Sequence, residues 1–397
     1  SSSSVSSSSS VSSVPTITSG VMPKPHGKPN LGASCYLNAF MQCLSSMRTL
    51  HPTFAALAGS RPGEVSVLLS RMSRQLVALS QGDTRLNLMQ DIASILNTQL
   101  FAGRNGQEDA GEVINNLLDI DNTIKRSFSF SMVTGSDDPA DRPRLDDHYV
   151  IMFSIPELVE ALKSGKPYPE MTDLEFMFQF PTMFPNPQPQ QIRTRPTGYN
   201  TYTFPLLSSN NTLRTLHPNH VCFGDNESLV INLNWTTATG VQQEFPFSFP
   251  LVIGPDMLIG VQSGGATGMQ NSTRSPMRQS DDARPSNNAY ILRAFVVHIG
   301  SSRNFGHYIA YVRRAGQWYC VDDNRVQEVT SILNPRTGTP YFDPESGLLS
   351  TNDNDRRVTI LFYELYQTGL TEGFYRFVGG TRQWTAGNRA TRADLTR

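Results

Sequence analysis

Apolar residues at Leu37, Phe40, Met41, Leu44 and Met47 recur at the three- and four-residue spacing of a buried helical stripe, with Ser34 ahead of them as a favourable N-cap. The spacing predicts a helix with Cys35 in its first turn. The same period predicts helices from Val65 through Leu79, from Leu88 to Leu96 and from Ala110 to Leu118. Beyond Arg126 the pattern changes to short β-like runs, Tyr149 to Phe153 and Ser228 to Leu233, separated by proline-rich stretches such as Phe184 to Pro189. Later runs, Tyr290 to His298, His307 to Arg314, Gln317 to Asp322 and Val358 to Tyr363, read as further strands. The chain thus reads as an α-rich lobe up to about Ile120 followed by a β-rich lobe beyond Arg126.

Composition narrows the organisation around these elements. Residues 1 to 13 are serine apart from Val5 and Val11, so 1–26 is expected to be a disordered linker. Residues 263–288, rich in Gly, Ser, Asn and charge, are expected to form a mobile insertion, and 367–397 a C-terminal tail. The chain starts on serine and is expected to be cut from a longer protein. Lys and Arg number 33 against 34 Asp and Glu, a net charge of -1, so no global field argues for nucleic acid or an anionic membrane. The most apolar stretch, Phe247 to Val261, is broken by Pro250, Pro255 and Asp256, short of the ~18 apolar residues a span needs. Four cysteines without a C-x-x-C pair argue against a disulfide scaffold or a structural zinc site, and for a reducing compartment.

Cys35 carries the candidate chemistry. At a helix start, unpaired N–H groups and the positive end of the dipole favour a thiolate. A nucleophilic thiol also needs a base. Gly306 to Asp323 reads as a β-hairpin turning at Ala315-Gly316, in which Arg314 pairs with Gln317 and Tyr311 with Cys320. This register sets His307 and Asp322 on one face as diagonal neighbours, with Asp323 pointing the other way. A slip of one residue exchanges the two aspartates. A carboxylate that orients an imidazole towards a thiol is the arrangement of a cysteine hydrolase.

Together these residues resemble the ubiquitin-specific proteases, papain-like deubiquitinating enzymes. The cysteine box of that family is matched at Gly27, Asn30, Leu31, Gly32, Cys35, Tyr36, Asn38, Gln42 and Leu44, and its histidine box from His298 through Gly306-His307-Tyr308 to Asp322-Asp323. Gln107 to Glu112 resembles the acidic motif between them. The resemblance covers about Gly27 to Leu365. It implies the papain-like α+β fold, with an α-rich thumb at 27–120, β fingers at 121–230 and a β palm at 231–366. It makes Cys35 the nucleophile, His307 the general base, Asp322 the orienter and Asn30 an oxyanion donor. Asp109 and Glu112 are implied contacts to the arginine-bearing tail of ubiquitin, and Tyr308 part of the channel for its Gly-Gly end. Ubiquitin and ubiquitinated proteins are the implied partners, no cofactor or metal is required, and the implied location is the cytoplasm or nucleus. The family's Asn-Thr before the nucleophile is Ala33-Ser34 here, and Leu233-Asn234-Trp235 replaces its common Leu-Lys-Arg-Phe. Its paired finger cysteines are missing, with Cys222 alone between residues 121 and 230. A catalytically inactive ubiquitin-binding scaffold of the same fold, and a protease for another ubiquitin-like modifier, stand as alternatives.

Overall fold

The computed structural model describes residues 22–61, 63–99, 110–128, 130–136, 144–163, 177, 204–207, 213–222, 228–235, 248–253, 290–302, 305–329, 332–333, 340–343, 348–350, 356–365, 374–378 and 381–385. Of the expected linker 1–26, residues 1–21 lie outside them, as does the expected insertion 263–288; residues 22–26 instead pack on the domain, with Met22 buried and the His26 carbonyl bonded to Gln42. The helices are α1 (Cys35–Ser45), α2 (His51–Ala58), α3 (Val67–Gln81), α4 (Met89–Gln99), α5 (Ala110–Ile120), α6 (Asn122–Phe128) and α7 (Ile155–Leu162). The strands begin with β1 (Phe130–Ser136), β2 (Arg144–His148), β3 (Ile151–Ser154), β4 (Phe204–Leu207), β5 (Leu213–Cys222) and β6 (Ser228–Asn234). They continue with β7 (Ser248–Pro250), β8 (Val252–Ile253), β9 (Tyr290–Ser302), β10 (Phe305–Arg314), β11 (Gln317–Asp322) and β12 (Arg325–Val329). The last are β13 (Ile332–Leu333), β14 (Pro340–Asp343), β15 (Leu348–Ser350), β16 (Arg356–Leu365), β17 (Phe374–Val378) and β18 (Thr381–Thr385).

An eight-stranded sheet, ordered β12-β11-β10-β9-β16-β6-β3 with β8 also paired to β9, is the platform of the fold. Its middle strand β9 reads Tyr290 to Val297 with almost no polar residue, and these positions are buried on both faces. On one face Ala294, Val296, Ala310, Val312, Ile360 and Phe362 meet α1. The other face stacks Phe295 on Tyr311, 4.8 Å apart, with Trp318 tilted against it. Every residue of α1 is buried, so the helix lies inside the domain with sheet on one side and helices α3 and α5 on others. A second sheet, β2-β1-β5-β4, occupies the region expected to be β-rich after Arg126.

The hairpin β10–β11 has the expected register, Arg314 opposite Gln317 and Tyr311 opposite Cys320. Ala315 and Gly316 both take positive φ, 53° and 81°, the mirror-image turn that matches strand twist. Helices α2, α6 and α7 were not expected from the sequence pattern, nor was the hairpin β17–β18 in the stretch read as a tail. That hairpin alternates Tyr375, Phe377 and Trp384 about a Gly379-Gly380 pair, a signal obscured by the surrounding arginines.

Arg314 ends β10 in a fully buried position and reaches two helix C-termini. Its Nε donates to Ser46 Oγ at 3.1 Å, Nη2 to Ser45 Oγ at 2.6 Å, and Nη1 to the Leu79 carbonyl of α3 at 2.9 Å. Burial pulls its proton affinity down, to about 9, so it remains a cation at neutral pH. The negative ends of two helix dipoles supply the compensating charge. Arg314→Met should therefore lower unfolding stability by about 3 kcal/mol, as measured by urea denaturation. An unchanged urea midpoint would show that the buried guanidinium does not hold the helices to the sheet.

Candidate active site

The first turn of α1 and the start of β10 bring Cys35 against His307. The thiol is buried at 3% exposure and hydrogen-bonds the imidazole. On the far side of the ring His307 Nε2 lies 2.6 Å from Asp322 Oδ1, at the end of β11. The hydrogen bond to Cys35, with Asp322 adding to it against partial burial, raises the His307 pKa to about 9. An imidazolium therefore persists through neutral pH. Because the folded value lies above the ordinary 6.5, this pairing adds stability that is complete below about 6.5 and is lost as pH rises through about 9.

Ser34 occupies the position before α1, yet its hydroxyl does not cap the helix. It accepts instead from the Leu31 N–H at 2.9 Å, because the loop ahead of the helix curls back on itself. Gly32 and Ala33 both have positive φ, 98° and 40°, and the second is strained for a residue with a Cβ. Asn30 closes the curl: its Oδ1 accepts from the N–H groups of Gly32 at 3.0 Å and Ser34 at 3.3 Å. Its Nδ2 donates to Asp323 Oδ2 at 3.0 Å.

Asp323 does not point away from the site as strand alternation implied. It leaves β11 in a left-handed conformation, φ 50°, and the turn swings its carboxylate back, to 3.9 Å from His307 Nε2. Besides Asn30 it accepts from Asn38 Nδ2 of α1 at 2.7 Å, and its carbonyl accepts from the Lys28 N–H at 2.9 Å. A Cβ at Gly27 would sit 2.2 Å from that carbonyl, which accounts for glycine there. The segment 22–30 is thus strapped along α1, with Gln42 Nε2 bonded to the His26 carbonyl at 2.8 Å. Asn38 and Gln42 were matched to a motif in the sequence without a role. Their four-residue spacing on one helix face is the signal that could have shown the strap.

Glu112 lies in the first turn of α5, half-buried, and Asp109 is outside the described residues. The α5 backbone runs close to β6, where a Cβ on Gly111 would meet Asn232 Nδ2 at 2.5 Å. Tyr308 is 2% exposed, its ring tilted against His298 at 4.7 Å, so its aromatic surface is taken up by packing. Among the described residues, donor atoms of His307, Asp322 and Asp323 gather within 4.8 Å of one another. Asp322 bonds His307 in this group, and Asp323 accepts from the Asn30 and Asn38 amides.

Comparison with known proteins decides the family. The model for ubiquitin carboxyl-terminal hydrolase matches residues 26–128 and 227–363. The chain belongs to this family. Ubiquitin carboxyl-terminal hydrolase 21 of Arabidopsis thaliana is 34% identical over 88 residues, 19% of this chain and 12% of the relative. Ubiquitin carboxyl-terminal hydrolase 17 of Homo sapiens is 33% identical over 88 residues, 18% of this chain and 17% of the relative. The match therefore spans less than a fifth of either hydrolase's length. A chain of the Ubp8-Sgf11-Sgf73-Sus1 SAGA DUB module superposes with a TM-score of 0.51 over 86% of this chain and 68% of that one, at 16% identity. The same module bound to ubiquitin aldehyde gives 0.51, covering 86% and 70% at 16% identity. The fold is the papain-like α+β fold of the ubiquitin-specific proteases, as the sequence resemblance implied.

If the thiol is the main cause of the raised His307 pKa, Cys35→Ala should lower it clearly below the wild-type value. Imidazole NMR resonances followed between pH 5 and pH 10 measure this directly, and an unmoved midpoint would contradict the contact.

Proposed function

We propose that this hydrolase-family chain is a thiol-dependent deubiquitinase that cleaves the bond after the C-terminal glycine of ubiquitin. The observation that carries the reading is the continuous contact from Cys35 through His307 to Asp322 at the junction of α1 and the sheet. Cys35 would attack as a thiolate and His307 would stand by as an imidazolium. Attack on the glycine carbonyl forms the thioester bond through a tetrahedral intermediate. Asn30 Nδ2 has a second hydrogen beyond the one given to Asp323, and that hydrogen is the proposed donor to the oxyanion. His307 then protonates the departing amine and, now neutral, takes a proton from the water that hydrolyses the thioester. Asp322 holds the imidazole in the tautomer this sequence needs.

In this reading the helices of 27–120 serve as the thumb, 121–230 as the fingers and 231–366 as the palm. Glu112, with Asp109 beside it in sequence, would face the arginine-bearing tail of ubiquitin. The ring of Tyr308, packed against His298, supports the strand that carries His307.

Incubation with ubiquitin carrying a C-terminal electrophile, followed by intact-mass measurement, should give one adduct with the wild type and none with Cys35→Ala. Folded wild type without an adduct would favour the inactive scaffold, and preferential labelling by another modifier's probe would displace ubiquitin as the substrate. In steady-state hydrolysis of a ubiquitin C-terminal reporter, Asp322→Ala should lower kcat by about 10²-fold or more, and Asp323→Ala by less. The reverse order would make Asp323 the orienter.

A further inference from the structure

The strand that presents His307 is not paired regularly with its neighbour. Phe305 faces Ser302 across β9–β10, but His307 faces Ile299, so β9 carries one residue more than β10 between these pairs. This is a β-bulge immediately before the imidazole. Such bulges bend a strand and re-aim the adjoining side chain. Gly300 lies in the bulge with φ 150°, a conformation that L side chains rarely adopt.

Side chains of Arg357, Trp235 and His298 gather around the bulge. Arg357 of β16 stands opposite His298 of β9, and its Nη1 donates to the Gly300 carbonyl at 2.7 Å. Its guanidinium lies 5.9 Å from the Trp235 ring centre, while Trp235 Nε1 is anchored on the Val358 carbonyl at 2.7 Å. His298, 3% exposed, stands opposite Tyr308 and fills the space beneath the β10 backbone. A Cβ on Gly306 would meet His298 Nε2 at 2.4 Å and the Ile299 carbonyl at 2.5 Å. The residue preceding His307 is therefore pressed directly on His298. Burial, with the charges of Arg357 and His307 nearby, lowers the His298 pKa to about 4, so it packs as a neutral ring beside the imidazolium.

We propose that Arg357 and His298 are positioning residues for His307: Arg357 fixes the bulge at Gly300, and His298 sets the height of β10 at Gly306, aiming the imidazole at Cys35. The inference rests on His307 serving Cys35, as in the function proposed above. Neither residue touches the reacting atoms. Trp235 stands where the resemblance led one to expect a basic residue, and here it backs the arginine of the clamp.

The test uses Arg357→Met, which keeps the apolar stem, Arg357→Lys, which restores the charge, and Gly306→Ala, which lifts β10 off His298. The His307 imidazole titration is followed by NMR without ubiquitin, beside kcat and KM on a ubiquitin C-terminal reporter. Arg357→Met and Gly306→Ala should each lower the His307 midpoint by about one pH unit or more, as its contact with the thiol is lost. They should also lower kcat by about tenfold or more with KM little changed, and Arg357→Lys should recover part of both losses. A folded Arg357→Met or Gly306→Ala protein with an unmoved His307 midpoint overturns the proposal, whatever happens to kcat. Should Arg357→Met fail to fold, Gly306→Ala decides alone. Because the NMR titration involves no ubiquitin, failure of the substrate assignment would leave it intact, and the two failures are distinguishable.

Discussion

The seating of α1 against β10 is the contact on which the rest of the molecule depends. The helix is buried along its whole length, and strand and helix meet at both ends. At the helix start Cys35 meets His307; at its end Ser45 and Ser46 meet Arg314. Between them Ala310 and Val312 offer small and β-branched side chains that let the helix lie close on the sheet. A change in the angle of the helix would therefore alter thiol–imidazole geometry directly. The proposed chemistry and the core packing share one interface.

Amide donors of α1 tie that interface to its surroundings. Asn38 and Gln42 lie inside the domain, where an unpaired amide would be costly, and their donors go to Asp323 and to the strap of residues 22–30. Asp323 in turn holds Asn30, so the loop before Cys35, the helix and the β11–β12 turn are cross-linked through one carboxylate. A buried ion pair, Arg293 with Glu364 at 2.6 Å, fastens β9 to β16, and Glu364 also accepts from the Thr49 N–H at 2.6 Å beyond α1. In the proposed acyl transfer, fixed dipoles around the thiol would need little rearrangement as charge moves.

How much of this was legible in the sequence follows from the range of each interaction. Helix α1 and the β10–β11 hairpin were readable because their signals are local: an apolar stripe, and two strands joined by Ala315-Gly316. His307 and Asp322 lie only fifteen positions apart within that hairpin, so register sufficed to bring them together. The path of Asp323 was not readable, because alternation ends where β11 ends and a left-handed residue resets direction. Ser34 had the residue type of a cap but serves Leu31, since the curled loop competes for its hydroxyl. The clamp of Arg357 on Gly300 spans 57 positions and depends on a bulge, which no periodicity announces. Short helices such as α2 and α7 escaped because eight residues give too few turns to show a stripe.

Native-state hydrogen exchange tests most directly whether helix and strand form one unit. Amides of α1 and β10 should exchange through a single opening, with a shared free energy and a shared response to added denaturant. Exchange of α1 through its own lower-energy opening while β10 stayed protected would contradict the account, since the thiol could then leave the imidazole without unfolding the sheet.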